Sequence, residues 1–122
     1  MTASILTVDD SASLRMAIRI ALTGAGYAVT EAVDGADGLA KATGTRFDMI
    51  VTDLNMPNMD GLSMIRALRQ QPAQAGIPII FLSTESDADM KAQAKAAGAT
   101  GWLVKPFQPD QLIRVAQKVL GK

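Results

Sequence analysis

Short apolar runs alternate along this chain with longer segments of helical period. The runs are Ser4–Val8, Tyr27–Ala32, Met49–Thr52, Ile79–Leu82 and Gly101–Val104. Their length and β-branched content predict strands. Most are apolar at odd and even positions alike, the pattern of strands covered on both faces of a parallel sheet. Between them, Leu14, Ile18, Ala21 and Leu22 share one face of a first helix that Gly24 and Gly26 end. Gly35–Thr43 predicts a short second helix, and Leu62, Ile65 and Leu68 mark a third. In the last helix Leu112, Ala116, Val119 and Leu120 form one stripe, with Pro109 near its start.

The fourth helix, predicted over Asp87–Ala97, offers only Met90 and alanines as inward residues. At ~25 cal/mol per Å² of apolar burial, alanines anchor a helix far less than leucines do. It is therefore expected to be the most loosely held helix, fit for a moving surface or simply an Ala-rich surface helix. Five β/α units in strict alternation predict a doubly wound α/β fold with right-handed crossovers. Helices would cover both sheet faces. One domain over 1–122 is expected, with no repeat or linker.

Composition narrows the chemistry. With 48% hydrophobic and 20% charged residues, the chain is too apolar for a disordered tail, and 122 residues can bury a substantial core. Twelve basic and twelve acidic residues cancel. With no basic run either, binding to nucleic acid or to a membrane surface is not expected. There is no cysteine and no histidine. Disulfides, thiolate and imidazole metal sites, cysteine nucleophiles and Ser-His-Asp catalysis are thereby excluded. The first residues lack the features of a signal peptide, and no apolar run nears the ~20 residues that span a bilayer. A soluble, cytoplasmic protein is expected.

Four predicted strands run into polar groups at their carboxyl ends: Asp9-Asp10, Asp53, Ser83-Thr84 and Lys105. In open α/β sheets ligands bind beyond those ends, so residues far apart in the chain would converge on one pocket. Carboxylates ~4 Å apart repel by ~4 kcal/mol per pair at an effective dielectric near 20, which calls for a neutralising cation. An all-oxygen donor set favours magnesium, manganese or calcium over zinc. A divalent cation, an ammonium, a hydroxyl and backbone amides are the parts that hold a transferring phosphoryl group. With neither histidine nor cysteine present, a carboxylate is the natural nucleophile, giving an acyl phosphate. Taken singly, each residue has a plainer reading. Asp10 could cap the first helix, Lys105 could be solvated, and Ser83-Thr84 could form a turn. Their joint placement argues for a site. The second strand's Glu31, and Asp34 beyond it, receive no role.

The segments Val8-Asp9-Asp10, Val51-Thr52-Asp53-Leu54-Asn55-Met56-Pro57-Asn58-Met59-Asp60-Gly61 and Leu103-Val104-Lys105-Pro106-Phe107 resemble the receiver domain of two-component response regulators along the whole chain. The resemblance implies a flavodoxin-like (βα)5 fold with a five-stranded parallel sheet in the order 2-1-3-4-5. It implies that Asp53 is the phosphoacceptor. Asp10, Asp53 and the Asn55 carbonyl would ligate Mg²⁺, for which Mn²⁺ could substitute, with Asp9 in the acidic pocket acting through water. Ser83 would be the switch hydroxyl, Thr84 would contribute a backbone amide, and Lys105 would bind a phosphoryl oxygen. A cis Lys105–Pro106 bond is implied as well. Trp102 stands where the family places a switch aromatic, usually Tyr or Phe, and indole is larger. Its alternative is a partly exposed ring packed on the last helix. Gly38, Gly44 and Gly61 read as backbone devices, with Gly61 starting a helix.

Read as complete, the chain ends after its last helix without an effector domain, so it would act by binding another protein. The NMPNMDG segment, with Asn55 and Glu85, resembles stand-alone chemotaxis regulators of the CheY type more than transcription-factor receivers. The implied partners are a histidine kinase or histidine phosphotransfer protein and an output protein such as a flagellar motor switch component. A monomer that is not an enzyme in its own right is expected. A phosphorelay intermediate or phosphate sink is the alternative. A metal-dependent phosphatase is more distant, because the second acid such enzymes need would fall at Asn55, which cannot act as one.

Overall fold

The structure is a computed structural model and describes residues 3–54, 56, 58–71, 76–83, 88–105 and 107–121. Five strands and five helices alternate: β1 Ser4–Val8, α1 Ala12–Gly24, β2 Ala28–Ala32, α2 Gly35–Gly44, β3 Met49–Asp53, α3 Gly61–Arg69, β4 Ile79–Ser83, α4 Ala88–Ala97, β5 Gly101–Val104 and α5 Pro109–Leu120. The strands form one parallel sheet in the order β2-β1-β3-β4-β5, as the resemblance implies.

Side chains alternate across the sheet and build two cores. On one face Ile5, Met49, Val51, Ile80 and Leu82 meet Ile18 and Leu22 of α1 and Leu112 and Ala116 of α5. On the other, Leu6, Val8, Ile50, Ile79 and Phe81 meet Leu62, Met64, Ile65 and Leu68 of α3 and Ala94 of α4. Burial on both faces holds for β4, every residue of which is buried, and nearly so for β1 and β3. It fails for β2 and β5. Only Ala32 of β2 is buried, and β5 has no buried residue. These are the sheet's edges, where a strand has a neighbour on one side only. Tyr27 is buried but precedes β2 rather than belonging to it.

Helix α4 buries only Ala94, with Met90 and Ala97 partly covered, so it is the thinly anchored helix expected from its alanines. Asp87, its expected first residue, lies outside the described residues. Helix α5 has its expected proline in the first turn and ends on Gly121, whose φ of 73° suits a residue without Cβ.

Candidate functional site at the carboxyl edge of the sheet

Because every strand pairing is parallel, the carboxyl ends share one edge of the sheet, and the order 2-1-3-4-5 sets those of β1 and β3 side by side at its centre. Asp9 follows β1, and its N–H extends the ladder to the Ala32 carbonyl at 3.1 Å. Its side chain is only 2% exposed. Oδ1 accepts from the Ser11 N–H at 2.8 Å, and Oδ2 faces Lys105 Nζ at 3.2 Å. Ser11, rather than Asp10, caps α1, accepting from the Leu14 N–H at 3.3 Å. That removes the capping alternative for Asp10. Its exposed carboxylate makes no hydrogen bond or ion pair among the described residues.

Asp53 closes β3. Oδ1 accepts from the Leu54 N–H at 2.8 Å and faces Lys105 Nζ at 3.3 Å, and no described residue engages Oδ2. Burial, and next the charge of Asp9, push the Asp53 carboxyl above its ordinary range, and Lys105 and the Leu54 amide offset this only in part. Lys105 follows β5; its N–H donates to the Ser83 carbonyl at 2.8 Å, which locks the ends of β4 and β5 together. Ser83 itself is buried at the end of β4. Asn55, Thr84, Glu85 and Pro106, and with Pro106 the implied cis bond, lie outside the described residues.

One carboxylate oxygen from each of Asp9, Asp10 and Asp53 falls within 4.8 Å of the others. Three carboxylates against one ammonium leave a net negative charge, and every donor is a hard oxygen. This set fits Mg²⁺ or Mn²⁺ and is wrong for a soft metal.

Described residues at the two ends of the loop after Asp53 are bonded to one another and to α3. The Gly61 N–H returns to the Leu54 carbonyl at 2.9 Å, while Asp60 caps α3 through the Ser63 N–H at 2.7 Å. A Cβ on Gly61 would press into the Asp53 carbonyl oxygen and stand 2.6 Å from Phe81 Cε1, so only glycine fits without a shift. Asn58 has a φ of 67°, in the left-handed region that Asn tolerates better than most residues.

Two residues without a role in the sequence reading border this site. Asp34 caps α2 through the Asp37 N–H at 2.8 Å and accepts from Asn58 Nδ2 at 2.7 Å. Beside it the Gly35 N–H donates to the Met59 carbonyl at 3.1 Å, so the β2–α2 and β3–α3 loops are tied twice. These donors, the Asp37 amide foremost and then Asn58, hold the Asp34 carboxyl below its ordinary range. Glu31, on β2, pairs with Arg15 Nε at 3.2 Å and Arg19 Nε at 3.4 Å. Neither contact carries a motif that would mark it in sequence.

A family model described as the response regulator receiver domain matches residues 5–117. The chain belongs to the response regulator receiver family. Receivers serve two-component signalling, where they meet histidine kinases and phosphotransfer proteins, and they bind Mg²⁺ in an acidic pocket. The transcriptional regulatory protein PrrA of Mycobacterium leprae is 38% identical over 118 residues, which cover 97% of this chain and 50% of that protein. The chain thus spans about half the length of the curated relatives it matches. The chemotaxis protein CheY4 of Vibrio cholerae is 47% identical with a TM-score of 0.94, covering 98% of this chain and all of that one. The receiver domain of the sensor histidine kinase PA1611 from Pseudomonas aeruginosa PAO1, solved with a magnesium ion coordinated in its active-site cleft, is 31% identical with a TM-score of 0.92. Each of those two chains is covered in full.

Trp102 of this receiver is partly buried and packs on Phe81 with ring centroids 5.8 Å apart and planes tilted by 44°. Alternation along β5 sends it to the α2–α3–α4 side, whereas Leu103 joins the cluster that holds α5. The alternative of an indole resting on the last helix is therefore corrected. No described helix is long and apolar enough to cross a membrane.

Proposed function

We propose that this receiver takes a phosphoryl group onto Asp53 in a Mg²⁺-dependent reaction and uses the modification to switch a protein-binding surface. The observation that carries the reading is the state of the Asp53 carboxylate. Oδ1 is occupied by Leu54 N–H and Lys105, no described residue engages Oδ2, one oxygen of the carboxylate lies within 4.8 Å of an oxygen of Asp9 and of Asp10, and burial keeps the group poorly solvated.

The donor is the phosphohistidine of a kinase or phosphotransfer protein. An Asp53 oxygen attacks phosphorus, the P–N bond breaks, and its electron pair returns to the imidazole, which takes up a proton from solvent. Mg²⁺ held by Asp10, Asp53 and the Asn55 carbonyl, with Asp9 acting through water, would neutralise the non-bridging phosphoryl oxygens. Lys105 binds one of those oxygens from its place 3.3 Å off Asp53 Oδ1. The Ser83 hydroxyl and the Thr84 amide bind another, and the motion of Ser83 is read out through Trp102. A near-complete switch of the α4–β5–α5 face needs ~5.5 kcal/mol of differential stabilisation.

The favoured output is chemotaxis, through a flagellar motor component, supported by the 47% identity to the whole of CheY4. The half-length match to PrrA favours a second reading, the receiver segment of a transcriptional regulator. Intact mass after incubation with acetyl phosphate and Mg²⁺ tests the chemistry. A gain of one phosphoryl group, lost in Asp53→Asn and in EDTA, is expected. No gain, together with no stable beryllofluoride complex, would sink the reading.

A further inference from the structure

Of the three acids at the sheet edge, two are held by their side chains and one is not. Asp9 is gripped by the Ser11 amide and Lys105, and Asp53 by the Leu54 amide and Lys105. Asp10 is exposed and has no side-chain partner among the described residues, yet one of its oxygens stands within 4.8 Å of the other two acids. Among the described residues, it is the backbone that sets its aim.

The backbone at this point is clamped. The Asp9 N–H is bonded to the Ala32 carbonyl, but β1 has ended, and the next carbonyl, that of Asp9, has no strand to pair with. Arg15 takes its place. From one turn into α1 its Nη1 donates to the Asp9 carbonyl at 2.6 Å, while Nε donates to Glu31 Oε1 at 3.2 Å. The Arg15 side chain is 14% exposed, and Glu31 braces it from β2. Guanidinium is rigid and planar, so two anchored nitrogens fix the whole fork.

We infer that Arg15 is a positioning residue for the metal pocket: by holding the Asp9 carbonyl it sets the plane of the Asp9–Asp10 peptide and so aims the Asp10 carboxylate at Asp53. This rests on the reading of the acids as a Mg²⁺ pocket. Glu31 has a matching task, keeping the cationic fork turned toward the carbonyl and away from the carboxylates.

The sign of one measurement separates this role from plain electrostatics. A cation near the pocket repels Mg²⁺, so if charge alone mattered, removing Arg15 would tighten metal binding. Positioning predicts the reverse. Mg²⁺ is titrated calorimetrically into the wild-type chain and into Arg15→Ala, Arg15→Lys and Arg19→Ala at fixed ionic strength, with folding checked by circular dichroism. Arg15→Ala is expected to raise the Mg²⁺ Kd about tenfold, the size of effect that supporting residues around metal ligands have. Arg19→Ala, which loses a contact to the same Glu31 but not to Asp9, stays within about twofold of wild type. Arg15→Lys keeps the charge but not the fork and falls between. It serves as the deciding variant if Arg15→Ala does not fold. Folded Arg15 variants that bind Mg²⁺ as tightly as wild type or tighter, or an Arg19→Ala loss equal to that of Arg15→Ala, would overturn the inference. A wild-type chain that binds no Mg²⁺ would overturn the metal pocket itself, and the inference with it.

Discussion

Lys105 Nζ sits 3.3 Å from Asp53 Oδ1, on the same oxygen that receives the Leu54 N–H. The same ammonium is 3.2 Å from Asp9, a carboxylate almost wholly out of water. Lys105→Met keeps the apolar stem and removes the charge. It should destabilise the metal-free protein by ~2 kcal/mol, because a buried acid loses its ionised partner. Added Mg²⁺ should then raise the melting temperature of the variant more than that of wild type. Urea midpoints in EDTA and thermal melts with and without Mg²⁺ check both halves.

Asp53→Asn should melt above wild type in EDTA at neutral pH. The folded-state pKa of Asp53 is raised above 3.8 by burial and by Asp9. Its stabilising contribution is therefore complete below the ordinary carboxylate value and is lost as pH rises through the raised one. Asparagine stays neutral and still offers an oxygen to the Leu54 amide. The gap between the two proteins should close as pH falls through the carboxylate range, and saturating Mg²⁺ should reverse their order. A wild type that melts higher than the variant in EDTA at pH 7 contradicts the assignment.

Gly61→Ala places a methyl against the Asp53 carbonyl and the Phe81 ring. A cost of about 2 kcal/mol is expected for such overpacking. Because one of the displaced atoms belongs to the backbone of Asp53, the proposed phosphoacceptor, acetyl phosphate should also label the variant more slowly than wild type. Intact-mass time courses give the rate, and labelling at the wild-type rate would count against the close contact.

Asn58→Gly retains the left-handed backbone and deletes the 2.7 Å bond to Asp34. The Asp34 carboxyl is depressed below 3.8, so its contribution is present above that value and lost as pH falls through the depressed one. The variant should melt below wild type at neutral pH, and the difference should shrink toward pH 3. A difference that is constant across that window would mean the Asp34 carboxylate has no part in it.

The elements and the site acids were legible because the apolar runs stop where chemistry begins. Val8 leads straight into Asp9, Leu82 into Ser83 and Val104 into Lys105, so each strand end could be located to within a residue. The edge strands were less legible. An apolar run such as that around Val29 does not say whether a helix will cover both its faces, and in β2 only Ala32 is buried. The Arg15–Asp9 contact was hidden for another reason. Its acceptor is a backbone carbonyl, which no residue type announces, and Arg15 reads in sequence as an ordinary charge on a helix surface. Asp34 and Asn58 lie 24 positions apart in two loops, and a bond of that kind follows from the strand order rather than from local pattern.

The ion pair between Lys105 and Asp9 joins residues 96 positions apart. Closing a loop of that length costs more chain entropy than closing a short one, so the pair depends on the sheet being assembled between its two ends. As the chain leaves the ribosome, Asp9, Asp10 and Asp53 are all made before the lysine that completes their site. A nascent chain short of β5 holds the acids without that counter-charge and without the strand whose end fixes Ser83. On the proposed chemistry, a receiver made only as far as β4 stays silent until that lysine arrives.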